Sequence, residues 1–176
     1  MLSHKFIKAG SLLLCLFYLL PVKAQTKIPG TLKAFESITG SWEGSLTYLD
    51  YSTNKPYTMA ANLIIQQLRN TDTFLFKNSY PKEPGANSVD TLIVSGDGRM
   101  INSAQITSKS RLEDGKLEMM SEHLATDGNQ GKPALIKMTY VIGKKVYILR
   151  KEIQFFRKTE WIKRHEYSYH RETKSN

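Results

Sequence analysis

The sequence predicts an all-β protein with one domain: an antiparallel up-and-down barrel of about 8–10 strands, preceded by a short helix. Three observations predict this fold. Beyond residue 40 the chain is a series of short runs rich in β-branched and aromatic residues. Turn-forming clusters such as Gly96-Asp97-Gly98 separate these runs. After residue 24 the chain has no cysteine, so a hydrophobic core rather than disulfides must stabilise it.

Residues 1–24 have the pattern of a cleaved secretory signal. Lys5 and Lys8 make the start of the chain positive, an apolar run follows, and a small-x-small site ends at Ala24. The apolar run is shorter than the roughly 20 residues of a spanning helix, and no later segment is apolar enough to be one. We therefore expect export to the periplasm or the extracellular space, with residues 25–176 as the single domain.

The formal charge of +9 includes Lys5, Lys8 and Lys23 of this signal, so the remaining 22 basic and 16 acidic residues leave +6. Part of the excess lies near the C-terminus, where it could attract anionic ligands or simply form a solvated basic face. We expect no nucleic-acid partner, because the exported chain carries no recognisable nucleic-acid module. The sequence does not predict an oligomeric state.

The helix is predicted over residues 31–38, where Leu32, Phe35 and Ile38 have helical spacing. Thr31 is the expected N-cap, and Gly40 the expected stop. The remaining elements are strands, since each run is bounded by Gly, Pro, Asn or Asp. They are predicted at 41–51, 57–68, 73–80, 90–95, 99–109, 116–123, 134–142, 146–155 and 159–171.

The first strand begins with Gly40-Ser-Trp42-Glu-Gly44, directly after the helix. This arrangement resembles the calycins, the group of lipocalins and fatty-acid-binding proteins, and especially uncharacterised secreted lipocalin-like proteins of Bacteroidetes-type bacteria. The resemblance implies that Trp42 packs across one barrel end with an arginine of the last strand on its face. We expect Arg164 in that position, where a cation–π contact would join the first strand to the last and close the barrel.

Side chains alternate between the two faces of a strand, so the partners of Trp42 and Arg164 can be predicted. The residues expected to line a ligand cavity are Leu46, Tyr48, Ile162 and Glu166. The same alternation turns Tyr167 and Tyr169 outward, which is unfavourable for aromatic side chains. Either a bulge interrupts the last strand, or these aromatic residues pack on a partner or on the N-terminal helix.

Three functions remain open. The first is a binding protein that holds a small hydrophobic or amphipathic ligand in the barrel. The second is a filled barrel that assembles with a partner through exposed His165, Tyr167 and Tyr169 and the basic C-terminus. The third is a barrel enzyme with a buried carboxylate, Asp50 or Glu166, as acid or base. We take the binding protein as the main hypothesis.

Motifs for chemistry are sparse. The chain has no G-x-S-x-G, no HExxH and no phosphate-binding glycine loop, so no catalytic residue is predicted. His123, His165 and His170 do not have zinc spacing, so no metal site is predicted either. The resemblance to calycins raises haem as a cofactor, because some proteins of that fold bind haem through a single histidine. Those proteins have a longer glycine-rich motif in the first strand, which this chain lacks. We expect no cofactor.

Overall fold

The computed structural model describes residues 30–50, 52–69, 71–128 and 131–171. The predicted signal at 1–24 lies outside them. The elements are α1 (Thr31–Glu36), β1 (Gly40–Asp50), β2 (Lys55–Gln67), β3 (Thr73–Ser79), a 3-10 turn (Pro84–Ala86), β4 (Ser88–Ile93), β5 (Met100–Ile101), β6 (Ala104–Arg111), β7 (Leu117–Asp127), β8 (Lys132–Ile142), β9 (Val146–Phe155) and β10 (Ile162–His170).

The ten strands form one antiparallel up-and-down sheet that closes almost completely into a barrel, which confirms the predicted fold class. The order in the sheet is β4-β3-β2-β1-β10-β9-β8-β7-β6-β5, so the first and last long strands pair at its centre. β4 and β5 meet only through the bridge between Val94 and Ile101. β5 ends at this bridge, whereas β4 extends away from it to Ser88 with no strand paired on that edge, and the barrel therefore has a partly open seam beside β4.

The strand predicted at 99–109 is two strands, β5 and β6, joined by a tight turn at Asn102 and Ser103. Both turn residues have a positive φ, 48° and 66°. Asparagine tolerates this left-handed conformation better than most residues, but the segment lacks the glycine that usually marks such a turn. The predicted hairpin at Gly96-Asp97-Gly98 is confirmed, because it joins β4 to β5 with Gly98 at φ 71°.

Helix α1 covers one end of the barrel. Phe35 is fully buried, and its ring contacts Phe74 and Tyr140 from the sheet at centroid distances of 5.8 Å and 5.6 Å. Thr31 is not the N-cap that we expected: Gly30 holds that position. The Thr31 hydroxyl instead donates to the Gly98 carbonyl at 2.6 Å, which joins the helix to the β4–β5 hairpin. No helix in the described ranges is long and apolar enough to cross a membrane.

Gly44 pairs with Tyr169 across β1 and β10, close to the backbone of β10. A Cβ atom at this position would lie 2.1 Å from the carbonyl oxygen of Ser168, far inside van der Waals contact. Gly44 is therefore required by the distance between the two central strands and not by its backbone angles.

Candidate functional site

A cavity of about 390 Å³ lies inside the barrel, between the helix-covered end and the hairpins at the other end. Its volume is within the range of roughly 300–1,000 Å³ that is usual for small-molecule sites. Side chains that face the barrel interior form the wall, and they are mostly apolar or aromatic. The lining residues are Leu63, Phe76, Asn78, Asp90, Thr91, Leu92, Asn102, Met138, Tyr140, Tyr147, Leu149, His165, Tyr167 and Tyr169.

Three tyrosines of β9 and β10 form a row along this wall. The ring of Tyr169 stacks between Tyr147 and Tyr167, with centroid distances of 6.0 Å and 5.7 Å and nearly parallel planes. Burial raises the pKa of all three phenols above the ordinary value, so they stay protonated at any physiological pH. The row therefore gives the cavity a flat aromatic side with uncharged hydroxyl groups.

These hydroxyl groups differ in their partners. Tyr167 shares a hydrogen bond of 2.8 Å with the hydroxyl of Tyr80. The hydroxyl of Tyr169 donates to Oδ1 of Asn78 at 3.4 Å. The hydroxyl of Tyr147 is buried and has no hydrogen-bond partner within the described residues. Since buried polar groups are nearly always paired, this hydroxyl requires an explanation.

The open seam beside β4 forms the mouth of the cavity. Asp90, Thr91 and Asn102 are exposed and line its edge. The side chain of Asn102 accepts a hydrogen bond from the Ile93 N–H at 2.7 Å and donates to the Thr91 carbonyl at 3.2 Å. It thereby replaces the backbone partner that β4 lacks here, and the seam opens beyond it.

His165 also lines the interior, next to this row of tyrosines. Burial, and then the positive charge of Lys151, lower the pKa of His165 to about 4, although Asp127 acts in the opposite direction. His165 is therefore neutral at pH 7. Among the described residues, the lining contains no lysine or arginine, so this part of the wall carries no positive charge, and Asp90 at the mouth is its one acidic side chain.

The interior charges beyond the cavity neutralise one another. Asp127 accepts from Nζ of Lys151 at 2.7 Å and from Nε of Arg164 at 2.6 Å. Its carboxylate is 5% exposed, and although burial raises the pKa, the two cations lower it overall. This cluster packs beside a small apolar group, Ala134, Ile136 and Ile153, near the ends of the long hairpins. Both cations are thus bound by Asp127, a group of the protein itself.

The cation on Trp42 is Arg171 and not Arg164, which corrects the sequence-based pairing. The Arg171 guanidinium lies 4.3 Å from the centre of the Trp42 ring. It also donates to the carbonyl oxygens of Ser37, Thr39 and Lys144 at 2.9 Å, 2.9 Å and 3.1 Å. The register explains the error: β10 contains a bulge between Lys163 and His165, so Arg164 is displaced toward Asp127.

The same bulge settles the alternative that the sequence left open for the aromatic residues. His165, Tyr167 and Tyr169 point into the barrel, and Tyr169 is 2% exposed. Glu166 consequently lies on the outer face, where it accepts from Nε of Arg150 at 2.5 Å. The prediction that Glu166 lines the cavity is wrong, because the displaced residue changes the face of every residue after it.

The other predicted ligand-binding residues have different positions. Leu46 lies opposite Tyr167 and Tyr48 opposite His165 on β1, so both share the interior face, partly buried, next to the cavity lining. Ile162 packs on the apolar group at the hairpin ends. Asp50, the other candidate acid, is partly exposed at the end of β1, and its hydrogen bonds to Ser52 lower its pKa. Asp50 and Glu166 therefore do not have the raised carboxylate pKa that the enzyme hypothesis requires.

Metal binding has no candidate in the described ranges, where no three His, Cys, Asp or Glu side chains come together around one position. No family model and no curated protein matches the chain. Among solved structures, the chain is similar to the crystal structure of Rv2717c from M. tuberculosis, with a TM-score of 0.49 and 11% sequence identity over 84% of this chain and 100% of that one.

Proposed function

We propose that this protein is an exported, calycin-like binding protein that holds one small hydrophobic or amphipathic molecule in the barrel cavity, without a cofactor. The cavity carries the proposal: its volume of about 390 Å³ is in the range of small-molecule sites, and its wall is largely aromatic and aliphatic. Burial of apolar ligand surface against this wall would supply most of the binding free energy. Export rests on the sequence of residues 1–24, and the calycin likeness on the Gly40–Gly44 motif.

The open seam supports binding over a purely filled barrel. A filled barrel needs no mouth, whereas here the pairing of β4 stops at one bridge and exposed Asp90, Thr91 and Asn102 surround the opening. The assembly alternative needs His165, Tyr167 and Tyr169 on the outer surface, and these residues face the interior instead. The inward direction of these side chains supports the binding function over the aromatic half of that alternative, whose other half is the basic C-terminus.

Native mass spectrometry of the full chain, expressed with its signal and purified from the periplasm of a Gram-negative host, tests the proposal. We expect a polypeptide that begins at Gln25 and carries one small molecule that denaturation releases. A matched control is Leu149→Trp, which should fill part of the cavity and reduce the bound fraction. A bare mass that stays bare after incubation with neutral lipids and fatty acids would refute the binding function. A haem adduct would refute the absence of a cofactor and direct attention to His165.

A further inference from the structure

The hydroxyl of Tyr147 is one of two buried side-chain hydroxyls without a hydrogen-bond partner within the described residues; the other belongs to Ser121, which is outside the cavity lining. Tyr147 is 0% exposed, lines the cavity and lies between Trp42 and Phe76, with ring centroids 6.2 Å from each. A buried hydroxyl without a partner destabilises a protein, because it loses its hydrogen bonds to water and gains none, so such groups are usually satisfied in the functional state. The neighbouring phenols of Tyr167 and Tyr169 already have partners. Of these three, Tyr147 alone has a hydroxyl without a hydrogen-bond partner within the described residues.

The charges around the cavity decide what kind of acceptor fits this donor. In the part of the chain that the structure describes, the lining contains no lysine or arginine, and the nearby cations Lys151 and Arg164 are bound to Asp127. A carboxylate or phosphate in the cavity would lose its hydration without gaining a cationic partner. Asp90 at the mouth would in addition repel an approaching anion. An uncharged acceptor avoids both penalties.

We infer that the ligand of this cavity is an uncharged, mainly apolar molecule whose carbonyl or ether oxygen accepts a hydrogen bond from Tyr147. This inference rests on the proposed binding function and narrows it to one chemical class. Apolar contact with Leu63, Phe76 and Leu149 would hold the body of the ligand, and Tyr147 would orient its polar end inward. Fatty-acid anions, which many barrels of this general shape could accommodate by volume, are poor ligands here.

The environment-sensitive fluorophore Prodan provides a test, because it is an uncharged naphthalene with one ketone. We expect the full-length exported protein to bind one Prodan, and Tyr147→Phe to weaken binding by about tenfold. The emission of the bound probe should also shift to shorter wavelength when its ketone loses the hydrogen bond. Tyr57→Phe is the matched control, since Tyr57 is 48% exposed and outside the cavity lining, and it should change neither property.

Two further probes separate the parts of the inference. The analogue 2-dimethylaminonaphthalene lacks the ketone, and Tyr147→Phe should change its affinity by less than twofold. The anion 8-anilinonaphthalene-1-sulfonate should bind at least tenfold more weakly than Prodan. Equal losses for Prodan and its ketone-free analogue would overturn the hydrogen bond to Tyr147. Equal binding of the anion would overturn the uncharged class.

Failure of this inference can be distinguished from failure of the binding function. If native mass spectrometry finds a released ligand that is anionic, the cavity binds ligands but the inferred class is wrong. If neither a co-purified molecule nor any of the three probes binds, the binding function itself is wrong. Tyr147→Phe removes only a hydroxyl without a protein partner, so its thermal unfolding should stay within about 3 °C of the parent.

Discussion

Arg171→Ala should destabilise the protein strongly, although Arg171 is partly exposed. The guanidinium donates one part-buried and two exposed hydrogen bonds to backbone carbonyls and lies on the ring of Trp42. We assign about 1.5 kcal/mol to the part-buried bond, under 1 kcal/mol to each exposed bond and about 1 kcal/mol to the cation–π contact. The sum is about 2–4 kcal/mol in the free energy of unfolding, or roughly 5–15 °C in Tm for a domain of this size.

Urea unfolding followed by tryptophan fluorescence measures this change. Arg99→Ala is the control, because the Arg99 side chain is 79% exposed and its removal should stay within about 0.5 kcal/mol. Arg171→Lys should recover only part of the loss, since an ammonium group cannot stack on indole and reach three carbonyls in one plane. A loss below about 0.5 kcal/mol for Arg171→Ala would refute the reasoning.

A double-mutant cycle identifies the partner of Trp42. Trp42→Phe combined with Arg171→Ala should show a coupling of about 0.5–2 kcal/mol, because the two side chains are in contact. Trp42→Phe combined with Arg164→Ala should be additive, because Arg164 is bound to Asp127 instead. Coupling in the second cycle and not in the first would restore the pairing that the sequence suggested.

Three other predictions concern stability. Gly44→Ala should lower the free energy of unfolding by about 3 kcal/mol or more, because the added methyl group would lie 2.1 Å from the Ser168 carbonyl oxygen. A variant that melts like the parent would disprove this close approach. Asp127→Asn should cost about 3 kcal/mol, since it leaves the partly buried Arg164 and a lysine without their carboxylate, and urea unfolding at pH 7 checks it. The pKa of His165 is about 4 in the folded protein, below its ordinary value of 6.5. Between these two pH values His165 is therefore protonated in the unfolded chain and neutral in the folded protein. The free energy of unfolding should therefore fall as the pH drops from 6.5 toward 4. Between pH 7 and pH 4.5, His165→Gln should lose about 2 kcal/mol less of this free energy than the parent, and equal losses would contradict the lowered pKa.

The fold class could be predicted because it depends on local patterns. Alternating apolar residues, separated by turn clusters, specify many antiparallel strands wherever they lie in space. Gly96 to Gly98 predicted its hairpin because glycine accepts the backbone angle that the turn needs. The turn at Asn102 and Ser103 was missed because it contains no glycine. Neither residue is a strong local turn signal, and the pairing of the strands imposes their positive φ.

The candidate site could be predicted only in part, and β10 shows why. Leu46 and Tyr48 were placed on the correct face because β1 is regular from its first residue. In β10 the alternation was counted from Arg164, the residue that the bulge displaces, so Glu166 was placed inside and the tyrosines outside. The aromatic residues could have corrected this assignment. If Tyr167 and Tyr169 are required to point inward together with Ile162, a bulge before His165 becomes necessary.

The sequence by itself determined the strands, most of their turns and the burial of Trp42, because these follow from each residue's own preference for water, backbone angle and neighbours along the chain. Only the tertiary structure decided which arginine contacts Trp42, where the seam opens and that the Tyr147 hydroxyl has no hydrogen-bond partner within the described residues. These features depend on the register between strands distant in sequence. Register is a property of the closed sheet, and a displacement of one residue changes which side chains meet inside it.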